Sequence, residues 1–284
     1  MKRLIIIFVG LCVVFRLLHA EDKIQPKGYS IPTIDLSRQA HRQVVVDREK
    51  GQYLGHPTTV LLEDDKTMLA VYPKGHGRGG IVYKRSNDGG LTWSSRLPTP
   101  KNWETSREVP TIHRVIDAQG KKRLIMWSGL YPARLAISDN DGDSWSALKP
   151  VGDWGGIVVM GCLEQLKTGE GNYMAMFHDD GRFFKGAMKR ENNPVFTLYK
   201  TFSKDGGLTW SYPEAILARS DVHLCEPGII RSPDGKQLCV LLRENARRRN
   251  SFVIFSSDEG NTWTNPRELP ASLTGDRHTG RYSK

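Results

Sequence analysis

At 284 residues, with 25% charged and 38% hydrophobic side chains, the chain has room for one large domain and the composition of a soluble globular protein. Its 28 glycines, 15 prolines and 7 tryptophans favour turns and short strands, and no segment shows a sustained helical period. The formal charge of +10 suits an anionic partner but does not choose among nucleic acid, an anionic membrane and an acidic glycan.

The first element is a leader. Lys2 and Arg3 precede an apolar run from Leu4 to Phe15, and Leu18-His19-Ala20 ends on a small residue before Glu21-Asp22. This layout predicts a signal peptide over 1–20, since the run is too short, and too soon interrupted by Arg16, to span a membrane. The mature protein, 21–284, is then secreted or periplasmic, with no stable membrane insertion. Losing Lys2, Arg3 and Arg16 lowers its charge from +10 to +7. Cys12 goes with the leader, leaving Cys162, Cys225 and Cys239, an odd set that predicts free thiols rather than a disulfide framework. No Cys or His spacing suits a metal, and nothing calls for a cofactor. The run Arg247-Arg248-Arg249 reads as a solvated loop, and no nucleic-acid-binding motif accompanies it.

An internal repeat organises the rest. Ser86-Asn-Asp-Gly-Gly-Leu-Thr-Trp93 recurs as Ser138–Trp145, Ser203–Trp210 and Ser256–Trp263, with the tryptophans 52, 65 and 53 residues apart. Such periods suit four-stranded propeller blades. Within each octet Asp88, Asn140, Asp205 or Asp258 can accept bonds from backbone N–H groups of its own turn, and glycine supplies a left-handed angle. Tryptophan then serves as an apolar anchor. With so few carboxylates per copy, and no bidentate Glu at its end, a calcium loop is a poor alternative. Between the octets, Pro57, Pro110 and Pro227 each begin a strand that leads through a polar turn into an apolar one: Met68–Tyr72, Arg123–Trp127 and Leu238–Leu242. The third unit runs from Met160 to Phe177. Each unit therefore reads strand A, hairpin, strand B, loop, strand C, octet, strand D. Four such blades fill roughly 53–270, residues 42–47 look like an outer strand closing the ring, and a fifth blade begins near Arg277.

The octets are those of the Asp-box repeat, and the chain resembles the sialidase superfamily. That resemblance implies an all-β, six-bladed propeller of sialidase type, of which about four to five blades are present here, so that the chain is expected to be incomplete at its C-terminal end. Glu226-Pro227, Gly235 and Arg243 are similar to the family's Glu-Pro strand and active-site arginine; this implies that Glu226 supports the catalytic centre and Arg243 holds a substrate carboxylate. Departures are also plain. His56 stands where the family has an arginine, Lys74–Gly80 has no carboxylate where an acid/base Asp is expected, and the family's nucleophilic Tyr would come from a later blade.

Meander topology puts the octets, as C-to-D turns, on one face and the D-to-A and B-to-C connections on the other. The second face is expected to form the site. There, Glu226, Glu108, Asp179 and His56 are candidate catalytic groups, and Arg243, Arg107, Arg277 and His178 candidate substrate contacts. The expected function is a sialidase-like exo-glycoside hydrolase acting on terminal acidic sugars. A non-catalytic glycan-binding propeller, or a hydrolase or lyase for another acidic polysaccharide, are the alternatives. The oligomeric state is left open.

Overall fold

The computed structural model describes residues 35–76, 78–187 and 195–278. The leader, Cys12 and most of the expected fifth blade lie outside these residues. The chain divides into two units at Arg38/Gln39, and every element below belongs to the second.

Four antiparallel sheets follow one another along the chain, each with its strands in sequence order. The first is β1 (Thr58–Leu61), β2 (Met68–Pro73) and β3 (Ile81–Ser86); the second is β4 (Thr111–Ile116), β5 (Lys122–Ser128), β6 (Arg134–Ser138) and β7 (Lys149–Pro150). The third runs β8 (Val159–Gln165), β9 (Tyr173–Asp179), β10 (Phe196–Ser203) and β11 (Glu214–Arg219). The fourth is β12 (Leu224–Arg231), β13 (Leu238–Glu244), β14 (Phe252–Ser256) and β15 (Arg267–Glu268). The described residues thus form an all-β propeller of four blades. Burial follows position in the blade. Central β9 is buried along its whole length, whereas the outer β7 and β15 are exposed. The inner strands β1, β4, β8 and β12 contribute residues to an axial cavity.

Each octet closes on itself as its composition requires. Asp88 Oδ1 accepts the Ser86 hydroxyl (2.7 Å) and the Thr92 N–H (2.9 Å), Oδ2 accepts the Thr92 hydroxyl (2.6 Å), and the Gly90 N–H donates to Ser86 Oγ (2.8 Å). Asp205 and Asp258 repeat this pattern. Asn140 keeps the geometry with one bond reversed, its amide donating to Ser144 Oγ at 2.9 Å. These bonds hold Asp88 and Asp258 down to about 2, well below the ordinary carboxylate range.

The octet also joins blades. Gly142 has φ +84°, and a Cβ there would lie 2.3 Å from the Tyr83 hydroxyl of the preceding blade; Gly260 would likewise strike Met174 at 2.6 Å. Only glycine permits both the angle and the approach. The tryptophans follow into the gap. Trp145 packs with Tyr83 and Trp103, Trp210 with Trp127, and Trp263 against the Met174–Leu238 cluster. Three apolar cores therefore lie between successive blades, not within them.

One expectation fails. Residues 42–47 form no strand: Ala40–Arg42 is a single 3-10 turn, and the following residues are tied to the first blade by side chains. Lys84 Nζ donates to Val46 O at 2.5 Å, while Asp47 accepts the Tyr72 hydroxyl (2.5 Å) and Arg96 Nε (2.7 Å). A β-prone run extends a sheet only where it meets a free backbone edge, and here it meets side chains. The three thiols of Cys162, Cys225 and Cys239 are free.

Replacing Asp205 with Ala removes four bonds from one turn and is expected to cost about 1–3 kcal/mol in chemical denaturation. Asp205→Asn should retain most of the stability, because Asn140 already closes the equivalent turn.

Candidate functional site

The octets bond to the A-to-B turns: Gly89 N–H donates to Lys66 O (2.7 Å) and Gly206 N–H to Gly171 O (2.9 Å). Asp88, Asn140, Asp205 and Asp258 accordingly stand on one face. The other end of the blades carries the mouth.

Glu226 is its centre. The β12–β13 register slips between Cys225 and Gly228, and Glu226 sits in this bulge at φ +48°. A glutamate held in the left-handed region is strained, and such strain concentrates where a side chain must be aimed. Cys225 pairs with Arg243 across the hairpin, so Arg243 NH1 reaches both Glu226 oxygens at 3.1 Å. The Glu226 N–H donates to His178 Nδ1 at 3.3 Å. His178 is buried, and burial pushes it down to about 4, so it is a neutral acceptor near pH 7.

Two further strands of chain approach Glu226. Arg277 donates to Gly161 O (3.3 Å); burial lowers its pKa, opposed by the Glu226 charge. Beside it, His278 Nε2 meets Ser251 Oγ at 2.8 Å. Asp276 bridges Arg247 (2.6 Å) and Arg243 Nε (3.5 Å). From the first blade comes His56, at φ +53°, its ring stacked on His76 with centroids 4.7 Å apart. The Tyr53 hydroxyl lies 3.4 Å from His56 Nδ1. Burial lowers the His56 pKa; His76, Arg277 and Arg243 act in the same direction, and Glu226 opposes them. From the second blade comes Glu108, half-buried, which accepts the Val109 N–H at 3.1 Å. Burial raises its pKa, and Glu226 adds to the rise against His76 and Arg182.

Below the mouth is an axial cavity of about 810 Å³, lined among others by His56, Thr111, His113, Cys162, Arg277 and His278. His113 is half-buried, its Nε2 is shielded from solvent without a hydrogen-bond partner, and burial pushes it down to about 3.

The structure thus brings together Glu226, Arg243, Arg277, His178, His56 and Glu108. It places two other candidates differently. Asp179 is fully buried, and its oxygens accept the N–H groups of Gly181 (2.7 Å), Phe183 (3.3 Å) and Phe184 (3.2 Å), so it shapes the 180–184 loop. Arg107 is exposed, with Arg134 as its electrostatic neighbour. Tyr53, His76 and His278 join the mouth although none was among the candidate site residues. Tyr53 precedes the first strand A, which begins at Pro57, so no repeated position marks it. Among the described residues no group of three or more His, Cys, Asp or Glu is placed to hold a metal, and no helix is long and apolar enough to cross a membrane.

Comparison with known proteins places this geometry. Residues 119–274 match the family model described as a BNR repeat-like domain. No curated protein matches the chain in sequence. Among solved structures, a protein of unknown function from Dyadobacter fermentans is 16% identical with a TM-score of 0.58, over 79% of this chain and 71% of its own. The leech intramolecular trans-sialidase is 14% identical with a TM-score of 0.54, over 76% of this chain and 51% of its own. The NanB sialidase from Streptococcus pneumoniae is 12% identical with a TM-score of 0.54, over 83% of this chain and 56% of its own. This chain therefore spans only about half the length of those two sialidases, and at such identities the likeness is one of fold.

Burial keeps His178 and His113 neutral, while both take up a proton in the unfolded chain near the ordinary value of 6.5. Stability is then complete above pH 6.5 and falls as pH drops towards 4, by about 3 kcal/mol for His178. Melting temperatures measured across pH 4–8 should show this slope, and His178→Gln should reduce it, with the part due to His113 remaining.

Proposed function

The chain belongs to the BNR repeat-like family of the sialidase superfamily, and we propose that it is a glycoside hydrolase acting on terminal acidic sugars of glycans. The carrying observation is the convergence of Arg243 and Arg277 on Glu226 at one propeller mouth. A planar guanidinium offers a sugar carboxylate two parallel bonds, and partial burial strengthens them. Arg243 NH1 is engaged by Glu226, which orients the side chain for a second anion.

Two carboxyl groups in unlike surroundings support hydrolysis over simple binding. Glu108 is inclined by burial towards its protonated form, while Glu226 lies against Arg243. Glycosidic cleavage needs one proton donor and one base or nucleophile about the bond, and unlike environments are how a site divides those roles. Neutral His178 fixes the Glu226 backbone without adding charge. His56 takes the place of a third cation, so the reading extends to uronic acids as well as sialic acids. The signal peptide expected over 1–20 supports an activity outside the cytoplasm.

Arg243→Ala is expected to weaken binding of free sialic or glucuronic acid by about 30-fold or more, with neutral galactose unaffected. The melting temperature should shift by only a few degrees, because Arg277 still faces Glu226. Titration calorimetry with the three sugars checks it; unchanged affinity for the acids would remove Arg243 from the site.

A further inference from the structure

The blade-one wall of the mouth holds an arrangement that carboxylate binding does not use. Tyr53 is about half exposed and lines a surface hollow with Lys74, His76 and Arg78. His56, directly behind it, lines the axial cavity with Arg277 and His278. The Tyr53 hydroxyl and His56 Nδ1, 3.4 Å apart, therefore link the two spaces. This contact is built. A Cβ on Gly55 would lie 2.4 Å from the Tyr53 hydroxyl, so the ring can rest there only above a glycine. His56 is held at φ +53° and backed by the His76 ring at 4.7 Å. Such a departure from relaxed backbone persists where the surrounding structure demands a particular aim.

We propose that Tyr53 is a catalytic residue of this mouth, the group that deprotonates the attacking water, with His56 as the proton acceptor behind it. The proposal rests on the acidic-sugar reading above. Water gives one proton to the Tyr53 oxygen as Tyr53 passes its own to His56 Nδ1. The water oxygen bonds to the anomeric carbon while the bond from that carbon to the leaving oxygen breaks. The electron pair stays with the leaving oxygen, which takes the proton of Glu108. His56 then releases its proton to solvent and Glu108 regains one. Water is the sole co-reactant.

The electrostatics agree with this division. His56 faces Tyr53, His76, Arg277, Arg243 and Glu226, and burial favours its neutral, accepting form; Glu108 faces His76, Glu226 and Arg182, and burial favours its protonated form. A positioned base of this kind contributes about 100-fold or more to rate.

Leaving-group dependence separates the roles. Turnover of an aryl sialoside and an aryl glucuronide, whose phenolates leave without help, is compared with that of sialyl- and glucuronyl-oligosaccharides. Tyr53→Phe is expected to lower kcat about 100-fold on both kinds of substrate. Glu108→Gln is expected to lower it on the oligosaccharides and far less on the aryl glycosides. Gly55→Ala, which displaces the ring, should repeat the Tyr53→Phe loss, with melting curves confirming that both variants are folded. Full activity of Tyr53→Phe, or a loss confined to the oligosaccharides, overturns the assignment. If Arg243→Ala abolishes acidic-sugar binding while Tyr53→Phe stays active, the acidic-sugar reading stands and this inference alone fails. If the intact protein cleaves no acidic glycoside, both fail.

Discussion

A short bond network inside the octet, in which one Asp or Asn side chain gathers a serine hydroxyl, a backbone N–H and a neighbouring hydroxyl, sets the form of every blade. Because the turn closes on itself, its glycine is held in the left-handed region and presents bare backbone to the preceding blade. Tyr83 and Met174 move into that space. Tryptophan is then delivered into the apolar layer between blades, where most of the burial energy lies. The same local closure, used again and again, both shapes each sheet and welds it to the one before.

Joining blades at the octet face leaves the opposite end to loops that carry no such duty. Those loops hold unlike charges close together, and Glu226 sits among them on a bulge that regular pairing would not allow. Arg243 and Arg277 supply positive charge and Glu226 negative, Glu108 is inclined by burial towards its neutral form, and buried His178 fixes the backbone while staying neutral. On the function proposed above, one more carboxylate enters this mouth without placing a lone charge in a dry interior.

Legibility varied with the range of the interactions involved. Blade boundaries, the hairpin from Cys225 to Arg243 and the structural role of Asp205 could be read from spacing, because turns and alternation are local. The run at 42–47 has the β-branched residues of a strand, yet forms none, and Lys84, Tyr72 and Arg96 hold it through their side chains. Asp179 carries the right functional group at the right end of a strand, but the N–H groups of its own loop surround it. Tyr53 shows the opposite case: ahead of the first strand A it holds no repeated position, and only the Gly55 turn sets it against His56.

The sequence by itself determined the repeat, the propeller blades, the face on which the octets lie and the Glu226–Arg243 hairpin. Each of these depends on contacts within one turn or between adjacent strands. Only the tertiary structure decided which polar residues of separate blades share an environment: Arg277 and His56 beside Glu226, Glu108 facing the same mouth, and Arg107 left at the rim. Their meeting depends on how the blades rotate about the axis, and that rotation is set by the packing of tryptophans between sheets, which no stretch of sequence records locally.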